Sequence, residues 1–149
     1  MTGPPSRGGR VRRQGGIVLL EALISILVLS FATLGILGLA SRALRDAGDA
    51  HWRSEAASLA ASTLARMWTE DPATLADRYD SAFGGAGFLD VVAAASKLPG
   101  VTSTTNAPDV AVVSGGSGAS PRVTVTVYWQ PPGAALPHRY AIEQVVASR

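Results

Sequence analysis

The strongest hydrophobic pattern in the chain is one apolar run near its N-terminus. Between Ile17 and Ala40 a single residue is ionisable, Glu21, and proline is absent. At ~1.5 Å per residue this segment would form a helix about 36 Å long, which exceeds the ~30 Å hydrocarbon core of a bilayer. The pattern therefore predicts a membrane-spanning helix over residues 17–40.

A second helical pattern continues from residue 41 to about residue 70. Small and apolar side chains recur there at spacings of three and four, as expected for a helix that packs against a small domain. The members of this stripe are Ala56, Leu59, Ala60, Thr63, Leu64, Met67 and Trp68, and a solvated face would hold Arg45, Asp49, Arg53 and Arg66. Glu70-Asp71-Pro72 should end the helix, because proline disfavours helical backbone at the preceding residue.

The C-terminal half changes to a period of two. From Val123 to Trp129, valine and tryptophan alternate with threonine and tyrosine, which predicts a strand. Residues 139–147 predict a second strand with Tyr140 and Ile142 on one face, and residues 110–113 predict a weaker third. The expected fold class is α+β, with one long N-terminal helix packed against a three- or four-stranded antiparallel sheet.

The segment between the long helix and the strands is predicted to be mostly a connector. Residues 73–88 contain the aromatic residues Tyr79, Phe83 and Phe88, which we expect to pack onto the helix. Residues 88–98 would form a short helix, ended by Pro99-Gly100.

Charge is distributed unevenly along the chain. Four arginines, Arg7, Arg10, Arg12 and Arg13, precede Ile17 without an acidic residue, whereas the remaining nine basic and eleven acidic residues give a formal charge of −2. This balance argues against a nucleic-acid partner, which requires a basic patch on the folded domain. Because Lys and Arg are enriched on the cytoplasmic side of membrane helices, the N-terminus should face the cytoplasm.

The N-terminal segment resembles the class III signal of type IV prepilins. The resemblance lies in the arginine-rich leader, Gly16, the sequence Ile17-Val18-Leu19-Leu20-Glu21, and the nineteen uncharged residues that follow. The continuation through residue 72 is similar to the minor pilins of the type IV pilus modification protein PilV family. The first two residues after the glycine differ from the Phe-Thr that is frequent in prepilins.

The resemblance implies specific roles for several residues. Prepilin peptidase would cut between Gly16 and Ile17 and methylate the new amine of Ile17, and Glu21 would pair with the amine of a neighbouring subunit during assembly. The alternative for Glu21 is a polar side chain tolerated near the lipid headgroups. Gly35 and Gly38 would allow local unwinding of the helix, or close helix–helix contact through small residues.

The implied organisation has four parts. Residues 1–16 would be a cleaved leader, 17–40 the transmembrane half of the helix, 41–70 its periplasmic half, and 71–149 a small α+β periplasmic domain. The implied location is the bacterial inner membrane and then the pilus. The implied partners are prepilin peptidase, other major and minor pilins, the inner-membrane assembly platform and membrane lipid.

Three other functions remain possible from the sequence. A minor pseudopilin of a type II secretion system would share the N-terminal half, and a signal-anchored periplasmic binding domain or enzyme would share the membrane helix. We expect no enzyme, cofactor or metal site. The chain has no cysteine, His51 and His138 lie outside any metal-ligand spacing, and no catalytic motif is present.

Overall fold

The computed structural model describes residues 15–116 and 120–146. Its fold class is α+β, as predicted, with one long apolar N-terminal helix and a three-stranded antiparallel sheet. The elements are α1 (Gly15–Met67), a 3-10 turn (Pro72–Thr74), α2 (Leu75–Tyr79), α3 (Ala86–Ala95), β1 (Asp109–Val113), β2 (Arg122–Trp129) and β3 (His138–Val145). Most of the predicted leader, residues 1–14, and Ala147 of the predicted last strand lie outside the described residues.

The chain divides into two units, Met1–Arg45 and Asp46–Arg149. In the first unit every described side chain from residue 16 to residue 45 is exposed. The hydroxyl groups of this helix bond back to its own carbonyl oxygens: Ser25 Oγ donates to Glu21 O at 2.8 Å and Ser30 Oγ to Ile26 O at 2.7 Å. These bonds satisfy the hydroxyl groups without water.

The core of the second unit lies where the C-terminal part of α1 faces the sheet. Five stripe residues of α1 are buried, namely Ala56, Ala60, Thr63, Leu64 and Met67, and Leu59 is partly buried against the same core. The prediction of this helix face is therefore confirmed, except for Trp68. That side chain is 42% exposed and donates from Nε1 to Gln144 Oε1 at 3.2 Å.

Helix α1 ends at Met67, three residues earlier than predicted. Thr69 N–H donates to Arg66 O at 3.0 Å and Glu70 N–H to Met67 O at 3.2 Å, so the last turn tightens to i→i−3 bonding. The Thr69 hydroxyl also donates to Arg66 O. Local bonding therefore ends the α-helix before Pro72 does.

Strand β2 is the centre of the sheet and pairs antiparallel with β1 on one side and β3 on the other. Its alternation confirms the predicted strand, because Val123, Val125, Val127 and Trp129 are all buried. Strand β3 starts one residue before the predicted position, and its Tyr140 and Ile142 pack against the core on one face, as predicted.

The predicted connector over residues 73–88 is wrong in part, since it contains the 3-10 turn, α2 and the start of α3. Helix α3 begins two residues earlier and ends three residues earlier than predicted, because i→i−3 bonds replace the helix over Lys97 and Leu98. Tyr79 and Phe88 pack against the core, but Phe83 is 66% exposed.

Contact between α2 and α3 depends on a glycine. A Cβ atom added to Gly87 would lie 2.6 Å from the ring of Tyr79. Only a residue without a side chain permits this approach, which sequence spacing gave no reason to expect.

Candidate functional site

The predicted assembly residue Glu21 lies on the exposed surface of α1 in the first unit. Within the described parts of the chain its carboxylate has neither an ion pair nor a hydrogen bond, since the Ser25 hydroxyl bonds to its backbone oxygen. Ile17 lies four residues before it in the same helix, which places the two side chains one turn apart on one face. Among residues 15–116 and 120–146, nothing therefore competes with an external partner for this carboxylate.

The predicted cleavage junction is equally open. Ile17 is 72% exposed, and a Cβ atom added to Gly16 would meet nothing within 4 Å. A larger residue at position 16 is thus compatible with the helix, and any need for glycine there must come from another molecule.

The first unit presents a continuous apolar surface. The α1 helix is long and apolar enough to cross a membrane, and its most hydrophobic window has a mean hydropathy of 2.5 with none of it buried. Each exposed Leu or Ile side chain costs roughly 1.5–3 kcal/mol relative to burial. This surface is suited to contact with lipid or with another apolar protein surface.

Gly35 and Gly38 have no close neighbour in the structure. A Cβ atom at either position would meet nothing within 4 Å. Intramolecular packing thus does not explain these glycines, which each weaken a helix interior by about 1 kcal/mol relative to alanine.

The second unit contains one partly buried polar cluster that sequence analysis missed. The Tyr79 hydroxyl donates to Glu70 Oε1 at 2.7 Å, and Glu70 Oε2 lies 3.3 Å from Arg78 Nε as an ion pair without an aligned hydrogen bond. Burial, and then the bonded carboxylate of Glu70, raises the pKa of Tyr79 above its ordinary value of 10.0. These groups join the end of α1 to α2 and have a structural role.

The open clefts in the described part of the second unit include one beside each histidine. One, of about 320 Å³, separates α1 from the end of α3 and has His51, Trp52, Glu55 and Lys97 at its walls. The rings of His51 and Trp52 are 4.9 Å apart at an angle of 55°. Glu55 and Lys97 place opposite charges at the walls of this cleft.

The other cleft, of about 460 Å³, lies between α1 and the start of β3 and is lined by Arg53, Trp129, His138 and Arg139, with Asp49 beside them. The ring centroids of Trp129 and His138 are 5.6 Å apart. Trp129 Nε1 is buried, and no atom of the described residues accepts a hydrogen bond from it. Residues far apart in sequence form this cleft, so no local motif could have identified it.

Among residues 15–116 and 120–146, no group of three or more His, Asp or Glu side chains is placed to hold a metal ion. His51 and His138 line different clefts. Comparisons with protein-family models, with curated proteins and with solved structures gave no match.

Proposed function

We propose that this chain is a minor pilin, similar to the PilV family, that is assembled into a type IV pilus after processing by prepilin peptidase. The observation that carries the proposal is Glu21: a lone carboxylate in an exposed apolar helix, without a partner in the described chain and one turn from Ile17. An ionisable residue within a membrane helix is functional by default, because an unpaired charge there is costly.

Cleavage after Gly16 would supply the missing partner. It removes the four leader arginines and creates a cationic amine on Ile17, the first residue of a segment in which Glu21 is the fifth residue and the other charged group. Packing of two such helices in a filament core brings the amine of one subunit to the carboxylate of the next. A satisfied pair fixes the register of the two helices, whereas either charge alone would be destabilising.

The exposed apolar surface of α1 has a role in both states of this mechanism. Lipid covers it in the anchored precursor, and neighbouring helices cover it in the filament. Small residues such as Gly35 and Gly38 allow close approach of neighbouring helices or local unwinding. The second unit would then be presented at the filament surface, where its shape determines which subunits fit beside it.

Intact-mass measurement of the membrane protein tests the processing step. In cells with prepilin peptidase we expect a chain that begins at Ile17 and carries one extra methyl group, and in cells without the peptidase a chain that retains its leader. Gly16→Val should block cleavage, while Gly35→Val should not. A chain cut after Ala40, or uncut in the presence of the peptidase, would refute the proposal.

Recovery of the protein in sheared pili tests the role of Glu21. Glu21→Ala should be cleaved normally but lost from the pili, because the amine of its neighbour is left unpaired. Ser25→Ala is the matched control, since the Ser25 hydroxyl bonds only within its own helix. Equal recovery of Glu21→Ala and wild type would disprove the pairing.

A further inference from the structure

The two outer edges of the sheet differ. The edge of β1 is covered by the residues that follow α2: Ser81 N–H donates to Val110 O at 2.9 Å, and Val112 N–H donates to Asp80 Oδ2 at 2.9 Å. The Ser81 hydroxyl also donates to Asp109 Oδ1 at 2.6 Å. The residues that follow α2 therefore occupy this edge and satisfy the Val110 carbonyl and the Val112 amide.

The edge of β3 has no such cover. Within the described residues, β2 alone forms backbone hydrogen bonds with β3. An exposed row of unpaired N–H and C=O groups is a template for another strand. The contrast with the covered β1 edge identifies β3 as the side of the sheet where a further strand can add.

The register determines which β3 residues point outward. The backbone groups of Val110 and Val112 bond away from β2, so their partners in the register, Val125 and Val123, do not bond to β1. The backbone groups of the even-numbered residues of β2 therefore bond to β1, and those of the odd-numbered residues bond to β3. Val125 pairs with Ile142, so the even-numbered residues of β3 bond inward. The outward backbone groups of β3 belong to Arg139, Ala141, Glu143 and Val145.

Side chains divide along β3 in the same way. Arg139, Ala141 and Glu143 are exposed on one face, while Tyr140 and Ile142 pack toward the core on the other. Glu143 accepts from Arg122 at 2.8 Å, but both side chains remain more than half exposed. Among the described residues, Arg122 is the one cation paired with this carboxylate.

These features make β3 self-complementary in one antiparallel register. Centring the pair on Ala141 places Arg139 opposite Glu143 of the second copy twice, with Tyr140 opposite Ile142 on the core face. If one strand shifts by two residues, Arg139 of one copy lies opposite Ala141 or Val145 of the other, and the charge pairs are lost. If it shifts by four residues, Arg139 lies opposite Arg139, or Glu143 opposite Glu143, of the second copy. Opposite charges across a strand pair are favourable by roughly 0.2–1 kcal/mol, and like charges are unfavourable.

We propose that β3 pairs antiparallel with β3 of a second copy of this chain, in the register centred on Ala141. The resulting interface has twofold symmetry and closes on itself, unlike the head-to-tail contacts that build filaments. It therefore describes a paired subunit outside a filament, and it holds whether or not Gly16 is a cleavage site.

Cysteine cross-linking of the full-length protein in detergent tests this register, because the natural chain has no cysteine. Residues in a hydrogen-bonded antiparallel pair have Cα atoms ~5.5 Å apart, within the range of a disulfide. Ala141→Cys should give a disulfide-linked dimer under mild oxidation. Val145→Cys, on the same edge, should not, because residue 145 lies opposite residue 137 in this register and the two copies of position 145 are at opposite ends of the paired strands.

A charge exchange provides the second arm. Added to Ala141→Cys, either Arg139→Glu or Glu143→Arg should lower the dimer yield about tenfold, because each places like charges opposite one another twice. The two substitutions together should restore it. Equal cross-linking at positions 141 and 145, no restoration in the exchanged variant, or cross-linking of Ala141→Cys to a different protein would each overturn the proposal. The first two outcomes would leave Arg139 and Glu143 as charges that merely prevent strand pairing.

Discussion

At the scale of single residues, polar side chains differ in how readily the sequence alone singles them out. Glu21 is conspicuous because its neighbours are uncharged, so the apolar pattern alone marks it as a candidate site residue. Asp80 is not, because its carboxylate covers a strand edge 32 residues away in sequence. Long-range contacts of this kind depend on how the elements pack, which local composition does not specify.

Tyr79→Phe tests the polar cluster at the end of α1. Removing the hydroxyl leaves Glu70 without its 2.7 Å hydrogen bond, which should lower the free energy of unfolding by about 1.5 kcal/mol. Because the pKa of Tyr79 is raised in the folded state, its contribution is complete below pH 10 and decreases as pH rises through the folded-state value.

Denaturant unfolding of the full-length protein at several pH values measures this effect. The difference in stability between wild type and Tyr79→Phe should be constant up to pH 9 and should shrink above pH 10. Tyr128→Phe is the matched control, since within the described residues the Tyr128 hydroxyl makes no hydrogen bond. If the difference in the free energy of unfolding between wild type and Tyr79→Phe increased with pH, the Tyr79 hydroxyl would not be the source of the effect.

Asp80→Ala tests the cover on the β1 edge. The substitution removes the acceptors of Val112 N–H and of Ala82 N–H, and the loss should cost about 1–3 kcal/mol because the first of these bonds is partly buried. Hydrogen exchange at the Val112 amide should accelerate. Asp77→Ala, at an exposed position of α2, should leave that amide unchanged.

At the scale of elements, the spacing of apolar residues predicted which faces of α1 and β2 are buried. The three- and four-residue spacing of α1 and the alternation of β2 gave the buried faces correctly, because packing against one core requires those periods. The ends of the helices were less predictable. Residues 69–70 and 97–98 retain helical composition, but their amides bond to carbonyls three residues back, so each helix ends before its composition changes.

The packing of α1 against the sheet is tested by two adjacent alanines. Ala60 is fully buried and Ala61 is exposed. Ala60→Leu forces a larger side chain into a filled core and should lower the free energy of unfolding by about 1–3 kcal/mol, whereas Ala61→Leu should change it by less than about 0.5 kcal/mol. Equal effects in denaturant unfolding would mean that α1 does not pack through this face.

At the scale of the whole molecule, the two units differ in the environment that their side chains require. The second unit buries many of its apolar residues around a common core, although Phe83, Leu89 and Leu136 remain exposed. The first unit buries none of its apolar window, although that window is the most hydrophobic part of the chain. This contrast was predictable from sequence because it depends on composition and length, whereas the register of the sheet depends on loops and contacts between distant residues.

The environment of the first unit can be tested at two leucines that are both exposed in the structure. Leu29 and Leu44 are 64% and 75% exposed, so neither stabilises the fold through intramolecular burial. Leu29 lies at the centre of the apolar run, where arginine costs about 3 kcal/mol on membrane insertion, whereas Leu44 lies beyond its end between Arg42 and Arg45. Leu29→Arg should therefore sharply reduce the fraction of protein that resists alkaline extraction from membranes, and Leu44→Arg should not. If both variants remained in the membrane fraction equally well, the apolar run would not cross the bilayer, and a protein partner would have to cover it instead.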